Sequence, residues 1–129
     1  MIVADTSVWV EADRRPIGAL PNALRSLIDA DELALALPVR VELASGVSRR
    51  NRLSFMHRLS GLPVIVPTEE TWKLMESWIP AAADQGHRFA VTDLLIAALA
   101  HEIGALVWSL DDDFGRMERL GLVRMYDAG

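Results

Sequence analysis

The sequence predicts an α/β fold built on a central, mainly parallel sheet of about five strands. Three observations carry that reading. Short continuous apolar runs recur along the chain, as expected of strands buried on both faces of a parallel sheet. Segments with helical apolar spacing separate most of them, so strands and helices alternate. The 129 residues are one domain's worth of chain, and no repeat, low-complexity tract or linker divides them, so residues 1–129 read as a single domain.

The elements follow in order. Met1 to Ala4 is the first apolar run and ends at Asp5. Pro21 to Ala30 is helical, with Leu24, Leu27 and Ile28 on one face. Leu33 to Leu37 is the second run and ends at Pro38. Val39 to Val47 reads as a helix with Pro38 near its first turn, where a missing N–H costs nothing. Asn51 to Leu59 continues as another helix, and Val64 to Val66 forms a third run between Pro63 and Pro67. Thr68 to Ala83 opens with Thr68 and Thr71 as capping candidates. Glu69 and Glu70 suit the positive end of its dipole, and Pro80 is expected to end or kink it. Val91 to Glu102 carries Thr92 as a cap and an apolar stripe of Leu95, Ile96, Leu99 and Ile103. Ala105 to Leu110 is the fourth run and leads into three aspartates; Asp112 to Leu120 is a short final helix, and Val123 to Met125 a fifth strand candidate.

Composition removes several classes of function. Hydrophobic residues make up 51% and charged residues 24%, a globular balance that excludes a disordered tail. The absence of cysteine excludes disulfides, thiolate zinc sites, iron–sulfur clusters and thiol catalysis. The longest apolar stretches, such as Leu94 to Ala100, fall far short of a membrane span. The first residues lack the basic and apolar regions of a signal peptide. A cytoplasmic protein with no membrane association is expected.

The net charge of −5 argues against a polyanionic partner, but the distribution of charge softens that argument. Between Arg40 and Arg58 stand five arginines (Arg40, Arg49, Arg50, Arg52, Arg58) against one acid, Glu42. Lys73 is the only lysine beside twelve arginines, and arginine forks suit phosphate better than a lysine point charge. Arg40, Arg49, Arg50 and Arg52 are therefore candidate contacts to the phosphates of a nucleic acid, against the plainer reading of a solvated helix face.

Ligands of open parallel sheets bind beyond the carboxyl ends of the strands. Asp5 ends the first strand, Glu42 lies one helical turn beyond the second, and Asp111 ends the fourth. Asp93 opens the helix that runs into the fourth strand, so short connections bring it to the same edge. Each acid alone has a structural reading as a cap or a first-turn residue, but all four together predict one acidic cleft. Clustered carboxylates repel unless cations neutralise them. Hard divalent cations, Mg²⁺ or Mn²⁺, take oxygen ligands, and such a centre suits metal-assisted cleavage of a phosphodiester.

These residues resemble the PIN-domain family, and within it the VapC-type toxins of bacterial toxin–antitoxin pairs. The resemblance rests on Val3-Ala4-Asp5-Thr6-Ser7, on Val41-Glu42-Leu43 with Gly46, on Asp93-Leu94-Leu95-Ile96-Ala97-Ala98 with Gly104, and on Ser109-Leu110-Asp111-Asp112-Asp113-Phe114. It spans essentially the whole chain, and its specificity lies in the four motifs together. It implies a three-layer α/β/α domain with the first and fourth strands adjacent, and a ribonuclease using Mg²⁺ or Mn²⁺. The metal-ligand role falls on Asp5, Glu42, Asp93 and Asp111. Asp113 stands where some relatives have a further acid, and Thr6 or Ser7 would hydrogen-bond a metal-bound water. Ser109 replaces a frequent threonine and keeps the hydroxyl. The resemblance also implies a homodimer and a small cognate antitoxin that blocks the site.

Rival readings fit less well. A receiver domain needs an acid after the third strand and a lysine after the fifth. The third run has no acid, and Lys73 sits in a helix. An aspartyl-nucleophile phosphatase wants Asp-x-Asp where this chain has Asp5-Thr6-Ser7. A non-catalytic RNA-binding module has no use for four converging acids. His57, His87 and His101 read as surface or loop residues, and Trp9, Trp72, Trp78 and Trp108 as core or interface anchors.

Overall fold

The structure is a computed structural model and describes residues 1–128. The strands are β1 (Ile2–Ala4), β2 (Leu33–Ala36), β3 (Val64–Ile65) and β4 (Leu106–Trp108). They form one sheet in the order β3-β2-β1-β4, and every pairing is parallel. The first and fourth strands are adjacent as expected, with Ala4 opposite Trp108. The expected fifth strand reduces to a single parallel bridge between Val107 and Met125.

The helices are α1 (Thr6–Arg14), α2 (Ala19–Asp29), α3 (Leu37–Gly46), α4 (Arg52–Leu59), α5 (Glu69–Asp84), α6 (Val91–Glu102) and α7 (Asp112–Arg119), with a 3-10 turn at Arg49–Asn51. Side chains alternate along β1 and split the core in two. Ile2 and Ala4 pack with Val8 of α1 and with Leu24 and Leu27 of α2. Val3 packs on the opposite face with residues of α3, α5, α6 and α7. Both faces of the sheet are thus covered, which is why its strands read as continuous apolar runs.

Three local expectations need correction, and one helix has no periodicity behind it. The segment Thr6–Arg14 carries no clear apolar stripe, yet it is helical. It buries only Val8 fully, and its start is set by the Asp5 cap rather than by periodicity. Pro80 does not end α5: it lies inside the helix, which continues to Asp84. Thr92 does not cap α6; that position belongs to Ala90. Finally, α6 has no one-sided stripe. All seven residues from Leu94 to Ala100 are buried while Ile103 is exposed, the pattern of a helix enclosed by its neighbours.

Other elements form for the reasons anticipated. Thr68 and Thr71 make a reciprocal capping box at the start of α5, satisfying two amides that the helix leaves without partners. Pro38 sits in the first turn of α3. Gly104 adopts φ 67° after α6, where its N–H bonds His101 O and that of Ala105 bonds Ala100 O. This glycine-dependent helix stop turns the chain directly into β4. It brings Asp93 and Asp111 to the carboxyl edge of the sheet that Asp5 already occupies.

Candidate metal centre

Asp5 follows β1 immediately and is held there from three sides. Its backbone N–H bonds Trp108 O at 2.9 Å, tying the ends of β1 and β4 together. Its Oδ1 accepts from the Ser7 amide at 3.0 Å, which caps α1, and from the Ser7 hydroxyl. Its Oδ2 accepts from the Ser109 hydroxyl at 2.7 Å. The residue is only 5% exposed. Burial pushes its carboxyl above the usual aspartate range, while the bonds from Ser7 and Ser109 pull the other way.

Ser7 and Ser109 extend this web. The Leu110 amide donates to Ser7 Oγ at 3.0 Å, and the Asp111 amide donates to Ser109 Oγ at 2.9 Å. Asp111 in turn caps α7, accepting from the Asp113 amide at 2.9 Å. The structural and chemical readings of Asp5 and Asp111 are therefore not alternatives, because each caps a helix with one oxygen and keeps the other for further contacts. Asp113 lies in the first turn of α7 and receives Arg116 Nη1 at 2.7 Å.

Asp93 stands in the first turn of α6 and is half-buried. Its carboxyl is pushed up to about 6, first by burial and then by the charges of Asp111, Asp5, Asp113 and Glu42, in that order. Those four acids end β1 and β4, open α7 and stand on α3. Glu42, on α3, joins through Thr6, whose hydroxyl donates to Glu42 Oε1 at 3.1 Å. The hydroxyl protons of Thr6 and Ser7 are thus directed at carboxylates.

Asp93, Asp111 and Asp113 each offer an oxygen, and these oxygens lie within 4.8 Å of one another. Three hard oxygen donors this close, one with raised proton affinity, fit a divalent cation of the Mg²⁺ or Mn²⁺ type. Asp113, expected to be accessory, is one of these three donors. Asp5 and Glu42, expected as ligands, are not among them; the Asp5 oxygens are engaged by Ser7 and Ser109, and Glu42 by Thr6. Ser109, expected only as a hydroxyl in place of a frequent threonine, holds Asp5 and receives the Asp111 amide. One contributor has no counterpart in the sequence reading: Arg116, legible only as a basic residue three positions after Asp113.

A groove of about 840 Å³ opens beside the acids between α1–α2 and α3–α4. Thr6, Trp9, Glu42, Phe55 and Arg58 are among its walls. Among the described residues, the buried Trp9 indole N–H finds no hydrogen-bond partner. Of the basic segment, only Arg58 lines this groove. Arg49, Arg50 and Arg52 are exposed around the 3-10 turn and the start of α4, and Arg40 is half-buried on α3.

A sheet ordered 3-2-1-4, with acids gathered where β1 and β4 end, is the arrangement of a PIN domain. The family model for the PIN domain matches residues 2–120, and the chain belongs to that family. Its sequence is 32% identical over 125 residues to the VapC ribonuclease Mb1587 of Mycobacterium bovis, covering 93% of each chain. It matches Ribonuclease VapC11 of Mycobacterium tuberculosis to the same extent. Among solved structures, the fold is similar to a chain of VapBC2 from Rickettsia felis bound to a promoter DNA fragment. The TM-score is 0.80 at 22% identity, over 98% of both chains. It is similar as well to a chain of DNA-bound VapBC from Salmonella typhimurium, with a TM-score of 0.80 at 18% identity over 99% of this chain and 98% of that one.

Proposed function

We propose that this chain is a metal-dependent endoribonuclease, the toxin of a toxin–antitoxin pair, hydrolysing RNA phosphodiester bonds at its acidic cleft. The observation that carries this reading is the convergence of Asp93, Asp111 and Asp113 oxygens within 4.8 Å, beside Asp5, in a PIN-domain chain. Relatives named as ribonucleases support the activity, and the VapBC complexes among its structural neighbours support an antitoxin as partner. RNA is the substrate and a second copy of the chain the other partner. Exposed Trp72 and Ile79, seven residues apart on α5, support an apolar contact of that kind.

When bound, Mg²⁺ or Mn²⁺ supplies an activated water and Lewis-acid stabilisation of the phosphoryl oxygen. Asp93, Asp111 and Asp113 would hold it, and Asp5 and Glu42 would complete the catalytic set around them. Ser7 and Ser109 fix the rotamer of Asp5, and Thr6 orients Glu42. Arg40, Arg49, Arg50 and Arg52 provide phosphate contacts away from the centre. A receiver-like role has no support, because β3 lies at the sheet edge and carries no acid. Among the described residues no helix is long and apolar enough to cross a membrane, and we place the protein in the cytoplasm.

The test is incubation of partner-free protein with a cellular RNA pool in Mg²⁺, Mn²⁺ or EDTA, beside Asp93→Asn and Asp5→Asn. Cleavage in metal that is absent in EDTA and in both variants is the expected outcome. Wild-type-like cleavage by either variant removes that residue from the site, and cleavage undiminished in EDTA refutes the metal mechanism.

A further inference from the structure

We propose that the cavity between the end of β4 and α7 is a phosphate subsite for the RNA strand, with Arg119 as its principal donor. The inference rests on the nuclease reading above and deepens it. The cavity has a volume of about 380 Å³, and its walls include Ser109, Asp111, Gly115, Arg116, Arg119 and Met125. It shares Asp111 with the three-oxygen group, so a ligand lying in it adjoins the reaction centre.

Both guanidinium groups lie on α7, one turn apart, and both line the cavity. Arg116 is committed at one nitrogen to Asp113 and retains other N–H donors. No carboxylate among the described residues lies within ion-pair distance of Arg119. Its side chain folds back along the helix over Gly115, so that a Cβ at Gly115 would stand 3.9 Å from Arg119 Nη1. Gly115 needs no unusual backbone angle, and a glycine in mid-helix is less stable than alanine. What it leaves is an open floor beneath a guanidinium that no carboxylate of the described residues pairs.

That combination suits a phosphodiester. A guanidinium fork binds two phosphate oxygens in its own plane. A chain of net charge −5 needs local cations to hold a polyanion. The arginines from Arg40 to Arg58 stand on the α3–α4 side, beyond Glu42, whereas Arg116 and Arg119 stand on the β4–α7 side. An RNA strand crossing the sheet edge would therefore be gripped on both sides of the reacting bond. Asp111 and Asp112 also line this cavity. Cation binding at the acid group neutralises Asp111, so phosphate should enter this cavity more tightly when the metal is present.

The experiment is fluorescence anisotropy of a labelled single-stranded RNA oligomer binding to the Asp5→Asn protein, with Mg²⁺ present, across roughly 50–200 mM salt. Adding Arg119→Gln should weaken binding about tenfold, the loss of one charge-assisted contact. It should also reduce the slope of log affinity against log salt by about 0.7, one phosphate's share for a single strand. Arg119→Lys should keep the slope and lose part of the affinity. Gly115→Met should weaken binding by closing the floor while holding or raising the melting temperature, since methionine is the better helix former. Unchanged affinity and slope in Arg119→Gln overturn the subsite while leaving the nuclease reading intact. Should the parent protein fail to bind RNA even at the lowest salt, the nuclease reading falls and the subsite falls with it.

Discussion

Replacing Asp93 by asparagine should stabilise the metal-free protein, and by an amount that depends on pH. The folded state raises the Asp93 carboxyl from 3.8 to about 6, so it binds the proton more tightly than the unfolded chain does. Above pH 6 the group is ionised in both states, and the folded state bears the full cost of a charge among Asp111, Asp5, Asp113 and Glu42. Well below pH 3.8 the group is protonated in both states and the cost vanishes. At about 1.4 kcal/mol per tenfold change in proton affinity, the ceiling is roughly 3 kcal/mol. Asp93 is half-exposed, and solvent screening reduces this to about 2 kcal/mol. Its favourable place in the first turn of α6 gives back about 0.5 kcal/mol. No hydrogen bond to the Asp93 side chain is lost among the described residues. Asp93→Asn should thus gain about 1 to 2 kcal/mol at pH 8 in EDTA, or roughly 3 to 6 °C in melting temperature. The assay is thermal and urea unfolding of both proteins from pH 8 to pH 4. The gap should be widest above pH 7 and close as pH falls through 6 towards 4. A variant no more stable than wild type at pH 8, or a gap undiminished at pH 4, would refute the account of repulsion among the metal-free acids.

Further expectations follow from the same geometry. Millimolar Mg²⁺ should raise the wild-type melting temperature, because binding to the native state alone contributes about 2.7 kcal/mol at a hundredfold excess over Kd. Asp93→Asn should respond far less, and an equal response in calorimetry would place the ion elsewhere. Asp5→Asn keeps an acceptor for the Ser7 amide and removes the buried charge, whereas Asp5→Ala loses the cap and the bonds to Ser7 and Ser109. Urea unfolding should find the alanine variant about 1 to 2 kcal/mol less stable than the asparagine variant. Thr71 is buried, receives the Thr68 amide at 3.0 Å and donates to Glu102 at 2.6 Å. Thr71→Val should cost about 1 to 2 kcal/mol in urea unfolding and leave RNA cleavage unchanged per folded molecule. Asp31 holds φ 55°, so Asp31→Gly should raise stability by about 0.5 to 1 kcal/mol, and a loss would show that its side chain contributes more than the strain costs.

Much of the site was legible because its acids double as chain punctuation. Asp5 had to end β1, since the apolar run begins at Ile2 and α1 needs a cap. Asp111 had to precede α7, since α7 opens on a further pair of acids. Their signals are local, carried by strand burial and by amide groups needing partners within two residues. The stripe expected on α6 failed for the opposite reason. A helix enclosed on every side has no solvent face to break the apolar pattern, and its sequence gives no direction to read. The helix at Thr6–Arg14 is signalled only by its Asp5 cap, because one fully buried residue, Val8, creates no periodicity.

By itself, then, the sequence determined the alternation of buried strands and helices and the carboxyl edge where the acids stand. It also determined the hard-oxygen chemistry that those acids can support. Only the tertiary structure decided which of them meet. Ser7 and Ser109, 102 positions apart, close on Asp5, while Asp113 turns into one group with Asp93 and Asp111. That choice depends on side-chain rotamers and on hydroxyl groups competing for each carboxylate across the β1–β4 seam. Such contacts exist only once distant segments are packed, and no spacing along the chain encodes them.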